Sequence, residues 1–350
     1  MAQPPSILPD AHRALQPFIA KAAAGKHLSE PESREAMEII MTGQATDAQI
    51  ASYLTALRLK GETVEEIVGA ARVMREKVTR IDTRGRDVLD TCGTGGDGAG
   101  TMNVSTAAAF IAAGAGCRVA KHGNYSVSSR SGSANLLEAL GVDIRMSRAA
   151  VEKALGESGI AFLFAPMLHG AMKFAIGPRR EIGIRTIFNL LGPLTNPAGA
   201  QYQLIGVYDG ALVEPVARVL ARLGTKRAMV VHGMGGVDEI SIAGETLAAE
   251  VTGASVKTRI LRPEDFGVGE APLEAVKGGE PAENAEMTRR LLAGERGPRR
   301  DIAVMNAGAA IFVAGEAATL KEGARLAAES IDSGRAKAKL EALARHSKAG

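Results

Sequence analysis

Apolar side chains recur at helical spacing through residues 11–80. Ile50, Leu54 and Leu57 fall on one face of one predicted helix, and Ile67, Ala70, Ala71 and Met74 on one face of the next. Two capping boxes mark the starts of these helices, Thr46 with Gln49 and Thr63 with Glu66. In each, the threonine side chain serves a backbone N–H three residues on while the Gln or Glu reaches back. Gly61, between them, is a C-cap. After Arg84-Gly85-Arg86 the period changes. Short β-branched runs at 87–91, 117–121, 160–164, 203–208 and 227–232 alternate with helical patterns at 148–157, 211–223, 302–314 and 320–346. That alternation predicts an α/β fold: a small all-helical N-terminal domain, then a larger α/β domain with a mostly parallel sheet, the boundary near residue 83. From 178 to 200 a helix is expected to end in a proline-rich turn carrying Gly192-Pro193 and Asn196-Pro197. Residues 264–300 are charged and rich in Gly and Pro, and are expected at the surface.

Composition narrows the function classes. A chain of 350 residues has room for about two domains. Net charge is +3 with Lys and Arg dispersed along the chain, and aromatics make up 3% with no tryptophan. Neither a basic tail nor stacking platforms for nucleic acid are present. Cys92 and Cys117 are the only cysteines and have no metal-type spacing, which suits a reducing compartment. The first residues lack the pattern of a secretory leader and no segment has the length of a membrane span, so a cytoplasmic location without membrane contact is expected.

The candidate chemistry sits where strands give way to helices. Residues 93–106, GTGGDGAGTMNVST, follow the first predicted strand. Their glycines let the backbone approach a ligand, and Ser105 and Thr106 open a helix whose N-terminal amides favour an anion such as phosphate. Gly93-x-Gly95-x-x-Gly98 also meets the dinucleotide fingerprint, which alone is weak and leaves a nucleotide-binding module open. Two features oppose it: the second strand ends in Lys121-His122 rather than an acidic residue, and Asp97 lies inside the turn. Asp97 suits ribose hydroxyls or a metal reached through water. Lys121 is placed to neutralise pyrophosphate, Asn124 can donate and accept, and five serines lie between 126 and 133. Further on, Asp238-Glu239 follow a strand and a glycine turn, a sparse carboxylate pair of the kind Mg²⁺ accepts beside substrate phosphates.

These stretches, with TGQATDAQIASYLTALRLKGET, SGSANLLEALGV and APMLHGAMKFAIGPRREIGIRTIFNLLGPLTNP, resemble the anthranilate phosphoribosyltransferases over nearly the whole chain. The resemblance implies a nucleoside phosphorylase/phosphoribosyltransferase-like fold in a homodimer. Its small helical domain would comprise 1–83 with a returning segment near 180–202, its catalytic α/β domain 84–350, and its active site the cleft between them. Phosphoribosyl pyrophosphate would lie on Gly93, Gly96, Asp97, Thr101, Asn103, Val104, Ser105, Thr106, Lys121, His122, Gly123, Asn124, Ser126, Ser128, Ser129 and Ser133. Anthranilate would contact Gly93, Asn124 and Arg179, and Mg²⁺ would be held by Ser105, Asp238 and Glu239. The implied reaction is attack of the anthranilate amine on ribose C1 with loss of pyrophosphate, a step of tryptophan biosynthesis. An aniline nitrogen is already neutral at physiological pH, so no side chain is expected to act as a general base. The nearest rival, a pyrimidine-nucleoside phosphorylase, would carry a Lys-His-Ser-Thr-Gly-Gly turn that this chain lacks. Tyr125 departs from the arginine usual in the family, which predicts weaker substrate binding there unless Arg130 or a neighbour compensates. Leu168-His169-Gly170 replaces a more common His-His-Pro.

Overall fold

The structure is a computed structural model that describes residues 13–126 and 131–348. Ser128, Ser129 and Arg130 lie outside the described residues. In chain order the elements are α1 Gln16–Ala23, α2 Glu30–Met41, α3 Asp47–Lys60, α4 Val64–Lys77, β1 Leu89–Thr91, α5 Val104–Gly114, β2 Val119–Gly123, α6 Ser133–Ala139, α7 Arg148–Ser158, β3 Ile160–Phe164 and α8 Ala165–Leu168. They continue with α9 Lys173–Ile182, α10 Ile187–Leu194, β4 Tyr202–Gly206, α11 Val213–Arg222, β5 Arg227–Gly233, β6 Thr246–Thr252, β7 Ser255–Leu261, α12 Pro281–Leu292, α13 Pro298–Ala314, α14 Leu320–Asp332 and α15 Arg335–Lys348.

The chain divides into two compact units. One is the chain up to Thr79 together with His169–Thr195; the other is Arg80–Leu168 and everything from Asn196 on. The helical unit begins as its pattern predicts. Both expected capping boxes form, Gly61 caps α3 at φ 84°, and Ser29 with Glu32 adds a third box at the start of α2. The returning segment starts at His169, earlier than residue 180, and closes at Thr195. Gly192 and Pro193 are inside α10 rather than in a turn. Pro193 sits in the last turn, and the chain turns at Asn196-Pro197 instead.

In the second unit one seven-stranded sheet runs in the order β3-β2-β1-β4-β5-β6-β7. Its first five strands are parallel, paired Val119 with Ile160, Leu89 with Val119, Leu89 with Tyr202 and Tyr202 with Arg227. The hairpin β6-β7 is antiparallel and lies outside the strands the sequence pattern predicts. Glu250 and the two central alanines break the run in β6, and β7 is an exposed edge in which Lys257 and Arg259 interrupt the apolar positions, so neither stands out as a covered strand. The stretch expected as one helix over 320–346 breaks at Gly334, which takes φ 75° between α14 and α15. Helix α12 occupies part of 264–300, with Asn284, Thr288 and Leu291 buried. Helix α5 is mostly small residues and is buried along its length except at Ser105, which lets α13 and α15 pack close to it.

Strand order reverses between β1 and β4: β1 leads to β2 on one side, while β4 lies on the other. Ligands of open α/β sheets bind outside the carboxyl ends of strands at such a point. Both glycine-containing loops emerge there.

Candidate active site

Thr91 ends β1 and the glycine loop begins immediately. Four of its glycines, Gly95, Gly96, Gly98 and Gly100, have φ between 65° and 74°, a backbone that L side chains rarely adopt. The far end of the loop is pinned, because Met102 N–H donates to Val276 O at 3.0 Å and Gly278 N–H to Gly100 O at 2.9 Å. Two other glycines are small for a different reason. A Cβ on Gly93 would stand 2.5 Å from Asp238 Oδ2, and one on Gly206, at the end of β4, 1.5 Å from the Asp238 carbonyl oxygen. The Asp238 turn can therefore lie directly against the loop.

That contact brings together three parts of the chain. Gly95 N–H donates to Asp238 Oδ2 at 2.8 Å, and Asp238 N–H to Asp97 Oδ2 at 3.3 Å. Ser105 N–H, in the first turn of α5, donates to Glu239 Oε1 at 3.1 Å. The helix N-terminus thus already serves an acidic side chain. Its other first-turn amides stay local: Val104 N–H meets Met102 O, and those of Thr106 and Ala107 meet Asn103 O. The expectation of unpaired α5 amides for phosphate is corrected accordingly, since a carboxylate fills the dipole-favoured position. The loop glycines and the Ser105 hydroxyl remain as the ligand-facing candidates.

Burial and like charge shape the acidic cluster. Burial first, then Asp97, pushes the Asp238 carboxyl up to about 7. Burial and then Asp238 raise Glu239 well above the ordinary carboxylate range, against the opposing pull of Lys121. Lys121 ends its reach at the Thr91 carbonyl and lies 3.3 Å from Ser105 Oγ, only 4% exposed. Thr91 Oγ1 in turn donates to Ser105 O at 2.9 Å. Among the described residues, Asp97, Asp238 and Glu239 do not close into a three-donor cage. A pair of buried carboxylates beside a hydroxyl is nevertheless the partial oxygen shell that Mg²⁺ takes with phosphates and waters.

Other expected residues have structural duties. Asn103 donates to Ser131 O at 2.9 Å and accepts from Ser131 Oγ at 3.3 Å and Asn284 Nδ2 at 3.0 Å. Its amide ties the glycine loop to the second loop and to α12, a link across the sequence that no local pattern reveals. Val104 is fully buried, and the Thr106 hydroxyl points into the interior with the residue 1% exposed. His122 is 3% exposed, its N–H donating to Asp90 Oδ1 at 3.1 Å. Gly123 is packed against Phe162 and Ser133, so a Cβ there would lie 2.3 Å from Ser133 Oγ. Asn124 accepts on its carbonyl from Ser133 Oγ at 3.2 Å and Ala134 N–H at 3.2 Å. These bonds, with Ser126 packed against Gly132, pinch the base of the second loop. The Tyr125 hydroxyl donates to Glu138 Oε1 at 3.0 Å and its ring meets Phe164 edge-on at 5.3 Å. Thr101 bridges to Lys277. Arg179 belongs to the helical unit, on α9, with its guanidinium 5.0 Å from the Phe188 ring centre.

Comparison with known proteins identifies the family of the chain and matches its fold. The model of the glycosyl transferase family a/b domain matches residues 85–337, and that of the same family's helical bundle domain matches 16–78. The anthranilate phosphoribosyltransferase of Pelotomaculum thermopropionicum is 58% identical over 325 residues, 93% of this chain and 94% of that protein. The crystal structure of anthranilate phosphoribosyltransferase from Thermus thermophilus superposes with a TM-score of 0.90 at 46% identity, covering 95% of this chain and 99% of that one. The enzyme from Saccharomyces cerevisiae in complex with PRPP and Mg gives 0.89 at 30% identity, covering 97% and 100%.

Proposed function

The chain belongs to the anthranilate phosphoribosyltransferase family, and from that premise we propose how its residues divide the work of the reaction. It transfers the phosphoribosyl group of phosphoribosyl pyrophosphate to the amine of anthranilate, giving N-(5-phosphoribosyl)anthranilate and pyrophosphate in tryptophan biosynthesis, with Mg²⁺ as cofactor. The observation that carries the assignment of roles is the meeting of Asp238 and Glu239 with Gly95 and Ser105 at the carboxyl edge of the sheet.

Asp238, Glu239 and Ser105 hold Mg²⁺. Their fit rests on two buried, mutually repelling carboxylates whose charged forms lack a full counter-charge. When bound, the ion neutralises charge that develops on the departing pyrophosphate. Gly93, Gly96 and Thr101 offer backbone and hydroxyl contacts to the phosphoribosyl pyrophosphate, and Asp97 takes its ribose hydroxyls. Lys121, Ser126 and Ser133 stand at the root of the second loop for its pyrophosphate. Asn124 and Arg179 orient anthranilate, the arginine by pairing with its carboxylate. Catalysis then comes from alignment of a neutral amine with ribose C1 and from charge stabilisation, with no side chain removing a proton in advance.

We also assign a homodimer acting in the cytoplasm. Both cysteines are free, and among the described residues no helix is long and apolar enough to cross a membrane. The deciding assay follows anthranilate fluorescence with phosphoribosyl pyrophosphate and Mg²⁺. Fluorescence is expected to fall with time, and no fall at any Mg²⁺ concentration overturns the function. Asp238→Asn with Glu239→Gln is expected to lower kcat at least about 100-fold, roughly 2.7 kcal/mol, with an unchanged far-ultraviolet spectrum. Full Mg²⁺-dependent activity in that variant would sink the metal assignment.

A further inference from the structure

At the strand ends that lead into the two loops lies a second set of ligating side chains, separate from Asp238 and Glu239. Asp90 and Cys92 flank Thr91 at the end of β1, and His122 is the fourth residue of β2, the neighbouring parallel strand. One carboxylate oxygen of Asp90, Cys92 Sγ and one ring nitrogen of His122 lie within 4.8 Å of one another. Asp90 is fully buried, His122 3% exposed and the Cys92 residue half-buried. Asp90 is held in place independently, Oδ2 by Asn196 Nδ2 at 2.7 Å and Oδ1 by His122 N–H at 3.1 Å.

The donor set differs in kind from the oxygen-only pair Asp238 and Glu239. One sulfur, one nitrogen and one oxygen favour a thiophilic ion over Mg²⁺. With bond lengths of 2.0 to 2.3 Å, donors in a tetrahedral zinc shell stand roughly 3.5 Å apart. Closing the spacing from within 4.8 Å to that value falls to the Cys92 and His122 side chains, because Asp90 is held, and water or substrate would complete the shell. We propose that Asp90, Cys92 and His122 form a second metal site, selective for Zn²⁺ or a similar thiophilic divalent cation and separate from the Mg²⁺ site. Binding transfers the Cys92 thiol proton to solvent as the Zn–S bond forms, with no change of oxidation state. The ion bridges β1 and β2 where both ligand loops start, one residue before Gly93 and one before Gly123, and so restrains both.

Cobalt is the spectroscopic probe, used on the full chain with Mg²⁺ in excess. Co²⁺ is expected to give a thiolate-to-cobalt charge-transfer band that saturates at one equivalent and is displaced by Zn²⁺. The band should vanish in Cys92→Ala and in Cys92→Ser, the second variant guarding against a packing defect in the first, while both keep the wild-type circular dichroism. It should persist in the Asp238→Asn, Glu239→Gln double variant. Absence of the band in the wild type, its survival without Cys92, or its loss with Asp238 and Glu239 overturns the site. None of these readouts depends on transferase activity.

Discussion

Lys121 concentrates the electrostatics of the site in one side chain. It is buried, holds the Thr91 carbonyl and Ser105 Oγ, and counters the charges of Asp90 and Glu239. Lys121→Met keeps the length and removes the charge. By analogy with loss of one preorganised donor to a developing anion, kcat/KM for phosphoribosyl pyrophosphate is expected to fall about 100- to 1,000-fold. Steady-state kinetics check this, with the loss appearing in kcat rather than as a pure rise in KM. His169 supplies a pH signature of a different origin. Burial alone pulls its imidazole down to about 4 from the ordinary 6.5, so the folded chain resists a proton that the unfolded chain accepts. The stabilisation is complete above pH 6.5 and is lost as pH falls toward 4, up to ~3 kcal/mol by linkage. Urea titrations of His169→Gln should show a flatter stability profile across that interval; an unchanged slope would reject the assignment. At this scale the sequence located Lys121 through its place at a strand end. It could not show that Asn103 is spoken for by Asn284, a partner 181 positions away, or that Thr106 faces inward.

Two helices of the small unit begin with the same motif and differ in what it supports. At Thr46 the box is local, Gln49 N–H to Thr46 Oγ1 at 3.3 Å and Thr46 N–H to Gln49 Oε1 at 3.2 Å. At Thr63 the returning side chain is Glu66, fully buried, which accepts from Thr63 N–H and Leu28 N–H, both at 2.8 Å, and from Lys60 Nζ at 2.6 Å. Thr46→Ala is therefore expected to cost about 1 kcal/mol. Glu66→Ala should cost ~3 to 5 kcal/mol, because it removes the counter-charge of the buried Lys60 ammonium, leaving it only Gly61 O and His27, and takes the acceptor from two amides. Lys60→Met with Glu66→Leu should recover part of that loss, which denaturant midpoints of the three variants will report. The capping signal was legible because it is written within four residues. Burial of the cap was not, since Leu28 lies far along the chain. The same logic divides the sheet: the five parallel strands show as short apolar runs, whereas Glu250 in β6 and Lys257 and Arg259 in β7 interrupt the pattern of the hairpin that ends the sheet.

At the scale of the whole molecule, the proposed homodimer requires an exposed apolar face. Among its described residues the helical unit exposes three large apolar side chains, Leu59 at 83%, Ile176 at 46% and Ile184 at 47%. Leu59 lies on α3 and Ile176 on α9, helices that pack against each other within that unit, and Ile184 follows α9 closely. Helix α3 already buries Ile50, Tyr53, Leu54 and Leu57 in the core of its unit, so Leu59 extends apolar surface onto a face that is exposed among the described residues. Apolar clusters of that kind mark association surfaces, and a stable one buries upward of about 1,000 Å² in total. The proposed homodimer should use this face. Sedimentation velocity of the wild type at micromolar concentration is expected to give twice the 36.3 kDa chain mass. Leu59→Glu places a charge at the centre of the contact and should shift the boundary to a single chain. Ile260→Glu, at an apolar position 43% exposed on the edge strand of the other unit, should leave the dimer intact. A monomeric wild type would refute the dimer, and an unaltered Leu59→Glu would move its interface elsewhere.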